Sequence, residues 1–89
     1  MKTIQITVTG RVQGVGFRYV TKSIADRLNL TGTVHNNDDG SVTAVATGDE
    51  DTLQAFIQQV INNPSPTSKV SNYQIVDLPL TSFNKFQII

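Results

Sequence analysis

With 89 residues, seven basic against seven acidic side chains and no cysteine, the chain reads as a single domain over residues 1–89 with a modest core. A formal charge of zero argues against a nucleic-acid footprint, which shows as a basic excess; the missing cysteines exclude a disulfide framework, a thiol nucleophile and a thiolate metal site. Met1-Lys2-Thr3-Ile4-Gln5 opens no signal-peptide core and no apolar run reaches spanning length, so the expectation is a cytoplasmic protein that meets no membrane.

Taken in order, Ile4, Ile6 and Val8 alternate with Gln5, Thr7 and Thr9, which predicts a strand with one apolar and one polar face. A glycine-rich stretch follows, and then Phe17, Val20, Ile24 and Leu28 recur at helical spacing, predicting a helix from about Phe17 to Asn29. Thr31 to Asn36 is a short β-branched second strand; the glycosylation sequon at Asn29-Leu30-Thr31 is read as chance. Asn37-Asp38-Asp39-Gly40 predicts a hairpin turn, Asp-Gly being a strong turn pair. Val42, Ala44 and Ala46 alternate with Thr43, Val45 and Thr47 in a third strand that Gly48 ends. Asp49-Glu50-Asp51 opens a second helix, with Asp49 as N-cap and an acidic first turn that suits the helix dipole. Leu53, Phe56, Ile57, Val60 and Ile61 form its apolar stripe, and Asn62-Asn63-Pro64-Ser65-Pro66 stops it. Val70 to Val76 reads as a fourth strand and Phe83 to Ile88 as a fifth, with Leu78-Pro79-Leu80 between them.

The order is β-α-β-β-α-β with a short extra strand. That is the split β-α-β pattern of ferredoxin-like α+β folds, an antiparallel sheet with two helices on one face. In this topology the first two strands run parallel with the third inserted between them. The loop after strand one and Asn36 at the end of strand two then share one sheet edge, although Arg18 and Asn36 are eighteen residues apart.

The stretch Val8-Thr9-Gly10-Arg11-Val12-Gln13-Gly14-Val15-Gly16-Phe17-Arg18 is a strand, a glycine loop and a helix start. Glycines let successive backbone N–H groups converge into an anion nest. The helix N-terminus adds unpaired amides, and Arg18 sets beside them a planar fork that fits phosphate or carboxylate. The common nucleotide motifs do not fit. No glycine is followed by lysine, which excludes a Walker A loop, and a dinucleotide fingerprint begun at Gly14 and Gly16 meets Tyr19 where it needs glycine.

Gly10 to Arg18 resembles the first signature of the acylphosphatase family. Gly32-Thr33-Val34-His35-Asn36, followed by Gly40-Ser41-Val42 and Gly48, resembles the second, and the likeness runs to Phe86-Gln87-Ile88. One departure is Thr33, where the family usually carries an aromatic. The resemblance implies the same fold and a hydrolase that splits acyl phosphates into carboxylate and phosphate. No His, Asp or Glu cluster has convincing metal-ligand spacing, so the expectation is a hydrolysis without metal or cofactor, by a monomer. The resemblance also implies roles: Arg18 binds the phosphate, backbone amides of Gly14, Val15, Gly16 and Phe17 complete the cradle, and Asn36 orients the attacking water. Inorganic phosphate is then expected as product and competitive inhibitor.

Other readings of these residues are structural. Asn36 could simply open the hairpin. His35, its neighbour on the strand, faces the other way, and Arg11 is read as a solvated charge. Aligning Asp39-Gly40 to a calcium loop puts His35 and Ala46 at ligand positions, which fails. Two further functions compete: a phosphate-binding module of the same fold without turnover, and an RNA-binding sheet. The second lacks aromatics on strand one's open face, which carries Gln5 and Thr7.

Overall fold

Five strands and two helices form in the order β1 (Lys2–Arg11), α1 (Phe17–Arg27), β2 (Thr31–Asn36), β3 (Val42–Gly48), α2 (Glu50–Ile61), β4 (Lys69–Leu78) and β5 (Phe86–Ile88) in the computed structural model, which describes residues 1–62 and 64–89. They build one sheet in the order β4-β1-β3-β2-β5. β1 pairs antiparallel with β3 and β4, and β2 pairs antiparallel with β3. β1 and β2 are thus parallel, with β3 between them. This is the ferredoxin-like arrangement that the element order predicts.

The alternation along β1 decides which face is covered. Ile4, Ile6 and Val8 are buried, and across the ladder they meet Ala46, Ala44 and Val42. Both helices lay their stripes on this face: Phe17, Ile24 and Ala25 from α1, and Leu53, Phe56, Ile57 and Val60 from α2. Phe86 of β5 joins the same core, its ring 6.1 Å from that of Phe56. The opposite face is a ladder of threonines, with Thr7 and Thr43 hydroxyls paired at 3.0 Å and Thr3 and Thr47 at 2.6 Å.

Two boundaries and one cap differ from the sequence expectation. α1 ends at Arg27, two residues before Asn29, because Asn29 takes a left-handed conformation at φ 57°. The Asn29 amide then donates to the Asp26 carbonyl and the Leu30 amide to the Ala25 carbonyl, a Schellman closure that fixes the turn into β2. Asp49 does sit at the N-cap of α2 in extended conformation, but its side chain makes no capping hydrogen bond, so its contribution is confined to backbone geometry and charge. β4 runs from Lys69 to Leu78 rather than from Val70 to Val76, since its pairing with β1, not its own alternation, sets its length. Within the expected helix breaker, Asn63 lies outside the described residues.

β5 is shorter than Phe83 to Ile88 and runs parallel to β2. The chain leaves β4 at the end of the sheet where β1 and β2 begin, so a strand added beside β2 must run in the same direction as β2. The intervening segment crosses the threonine face: the Thr81 carbonyl accepts from the Thr47 hydroxyl at 2.8 Å, and the Thr81 amide donates to the Thr3 hydroxyl at 2.9 Å. That crossing explains why Thr3 and Thr47 are buried on the polar side of the sheet.

One hydroxyl in the core is unsatisfied. Thr21 is fully buried in α1 and its Oγ1 has no hydrogen-bond partner among the described residues. A buried unpaired hydroxyl is destabilising relative to a methyl group of the same shape. Thr21→Val is therefore expected to raise stability by about 1 kcal/mol, read as a higher urea midpoint at unchanged m-value. A lowered midpoint would contradict this account of the site.

Candidate active site

The elements that carry the candidate anion-binding residues meet at one edge of the sheet. β1 closes with a register shift against β4 between Thr9 and Gly10, a bulge that bends the strand as it enters the loop. Val12 buries its side chain at the base of the loop. Gly14 and Gly16 have φ of 73° and 76°, a left-handed conformation that a Cβ would strain. Nothing crowds either position within 4 Å, so the constraint is backbone conformation rather than space. Gly16 is the N-cap of α1, and no side chain caps it. The first bond of the helix runs from the Val20 amide to the Gly16 carbonyl at 3.2 Å. The amides of Phe17, Arg18 and Tyr19 precede that bond, and the helix offers them no acceptor.

Arg18 lies in this first turn, half-buried and without an ion pair among the described residues. Phe17 beside it turns its ring into the core, so only its backbone can face an anion. Asn36 is the last residue of β2 and stands opposite Val42. It shares the helix-covered face with Val34, and its Oδ1 is buried without a hydrogen-bond partner among the described residues. A buried carboxamide oxygen with no acceptor role filled is uncommon in a folded domain. His35 falls on the other face, opposite Thr43, as strand alternation requires.

The residue that joins these segments is Gln13. Its carboxamide donates to the Asn37 carbonyl at 2.8 Å and to the Ser41 carbonyl at 2.9 Å. One side chain thus ties the glycine loop to both ends of the turn that joins β2 and β3, next to Asn36. From the other side the Ser65 hydroxyl donates to the Val15 carbonyl at 2.6 Å. The hairpin itself is closed by the Asn37 amide on the Ser41 carbonyl at 2.8 Å. Ser41 hydroxyl and amide both donate to the Asp39 carboxylate, which holds that carboxyl below its usual range. Neither Gln13 nor Ser65 stood out in the sequence. A lone glutamine between glycines carries no chemical signal, and Ser65 lies fifty residues from its partner.

Among the described residues no three His, Asp or Glu side chains converge as a metal site would require. No helix of the described residues is long and apolar enough to cross a membrane.

The family model described as Acylphosphatase matches residues 4–88. The chain is 47% identical over 90 residues to an acylphosphatase of Lactobacillus johnsonii, spanning all of this chain and 99% of that protein. It superposes on the crystal structure of an acylphosphatase from Bacillus subtilis with a TM-score of 0.95, at 43% identity and covering 100% of this chain and 99% of the other. A similar domain recurs within a longer protein: the structure of full-length HypF in its phosphate- and nucleotide-bound form matches 99% of this chain over 12% of its own length, with 33% identity and a TM-score of 0.93.

If Gln13 sets the loop against the hairpin, Gln13→Ala should weaken inorganic phosphate binding several-fold while costing stability only about 1 kcal/mol, because both carbonyls keep a backbone donor. Phosphate titration by calorimetry beside thermal unfolding measures the two effects. Unchanged phosphate affinity would show that the loop holds its shape unaided.

Proposed function

The chain belongs to the acylphosphatase family, and from that membership we propose a metal-independent hydrolysis of acyl phosphates in which Arg18, the loop amides and Asn36 do the work. The observation that carries the reading is the juxtaposition, at one sheet edge, of an amide-rich glycine loop and the buried Asn36 Oδ1, which has no hydrogen-bond partner among the described residues. The whole chain acts as one such domain.

The chemistry asks little of side chains. An acyl phosphate is a mixed anhydride whose leaving group is a carboxylate with a conjugate-acid pKa of about 4. It departs as a stable anion at neutral pH and needs no general acid. What remains is to hold the phosphoryl group, neutralise its equatorial oxygens and aim a water in line with the breaking P–O bond. Arg18 supplies a permanent charge in a bidentate fork. The amides of Gly14, Val15, Gly16 and Phe17 supply fixed dipoles at the positive end of α1. Asn36 accepts from the water and points its lone pair at phosphorus. The bond formed is between water oxygen and phosphorus; the bond broken is between phosphorus and the bridging oxygen, whose electron pair leaves with the carboxylate. One proton passes to solvent or phosphate.

In this mechanism the positive charge that a magnesium ion would bring comes from Arg18 and the loop. The same cradle holds free phosphate, because its oxygens match those of the transferable group. Hydrolysis of benzoyl phosphate is therefore expected to persist in EDTA with no gain on adding magnesium. Inorganic phosphate should raise apparent KM and leave kcat unchanged. Initial rates with each addition decide the matter. Loss of rate on chelation, restored by metal, would contradict the mechanism. Phosphate binding without any turnover would instead favour a binding module of the same fold.

A further inference from the structure

A groove of about 420 Å³ lies between α1 and the edge strand β5. One wall is a single stripe of α1, with Tyr19, Lys22 and Asp26 at i, i+3 and i+7; the floor is Phe86 and Ile88 of β5. We propose that this groove seats the acyl part of the substrate, and that it takes an apolar, preferably aromatic, acyl group. The inference rests on the phosphate site proposed above and adds to it the side on which the leaving group lies.

The position of the groove follows from the sheet register. Ile88 stands beside Val34 in the parallel β2–β5 pair, and Asn36 is two residues further along β2 on the same face. Strand spacings place Ile88 about 8 Å from Asn36, backbone to backbone. On the other wall Tyr19 directly follows Arg18 in the first turn of α1. The groove therefore begins where the phosphate cradle ends and runs away from it. A leaving carboxylate whose acyl group is a ring reaches between Tyr19 and Ile88; an acetyl group does not.

The lining sets the chemistry. Tyr19 is 77% exposed, so its ring has a free face on which a planar group can stack. Ile88 supplies the accessible hydrocarbon of the floor; Phe86, only 1% exposed, backs it from the core, and Gln87 adds a polar group to the lining. Lys22 is engaged by Asp26 at 2.7 Å, so its charge is matched locally and its stem adds to the apolar wall. Lys85 lies three residues before Ile88, about 10 Å further from Asn36 along the strand, beyond the reach of a single ring. A volume of this size suits a small acyl group in a shallow, open site, with selectivity among substrates modest rather than strict.

The test is steady-state kinetics on acetyl phosphate and benzoyl phosphate, with the intact chain and with Tyr19→Ala and Tyr19→Phe. Tyr19→Ala is expected to lower kcat/KM for benzoyl phosphate about fivefold, through KM, and to leave acetyl phosphate unchanged. Tyr19→Phe should restore the benzoyl value, since the ring and not the hydroxyl makes the contact. Equal losses on both substrates, or no change on either, would overturn the subsite while leaving the hydrolase reading intact. A wild-type chain that binds inorganic phosphate but turns over neither substrate would overturn the hydrolase reading, and the subsite with it.

Discussion

The Gln13 carboxamide, held between the Asn37 and Ser41 carbonyls, is the contact on which the proposed chemistry depends. A glycine loop has little reason to keep one shape, because the freedom that lets its amides converge also lets them disperse. Here the loop is fastened at both ends and in the middle: by Val12 buried at its base, by Gln13 on the hairpin, and by the Val15 carbonyl on Ser65. The fastening reaches the hairpin that carries Asn36. An anion cradle and a water-orienting group must keep a fixed separation if phosphoryl transfer is to be accelerated by positioning. The fold supplies this separation by topology, and Gln13 refines it.

The topology in turn rests on the hydrophobic alternation of three strands. β1 and β2 are parallel only because β3 inserts between them, and β3 can do so because Val42, Ala44 and Ala46 present small apolar side chains under two helices. The parallel strand ends then place loop and Asn36 at the same edge. The opposite edge is spent on structure: there the chain crosses beneath the threonine face and returns as β5. That return is what creates the groove beside α1, so the last three-residue strand shapes the neighbourhood of the site although it carries none of the proposed catalytic groups.

Much of this was legible in the residues. The i, i+3, i+4 stripe of α2 and the alternation of β1 and β3 gave all three elements close to their observed limits, because each lays an apolar face on a single core. Arg18, Asn36 and the loop glycines stood out through their two signatures, and the structure brings the segments that carry them to one edge. The elements read less well are those set by partners rather than by their own pattern. β4 is exposed along most of its length, so its side chains carry little periodic signal and its limits come from hydrogen bonds to β1. β5 takes its direction from where the crossing segment delivers the chain. Asp49 has the right residue type for a cap but makes no capping bond. Gln13 acts through two long-range hydrogen bonds and Ser65 through one, and such contacts leave no trace in local sequence.

The division of labour between Arg18 and Asn36 is the centre of the account, and Asn36→Ala tests it most directly when binding and turnover are measured on the same protein. A group that orients water acts in the transition state and adds little to ground-state anion affinity. Calorimetric titration with inorganic phosphate should give a wild-type dissociation constant, while kcat for benzoyl phosphate falls by about 10²-fold or more. Parallel losses of phosphate affinity and kcat would make Asn36 a phosphate ligand and would contradict the mechanism.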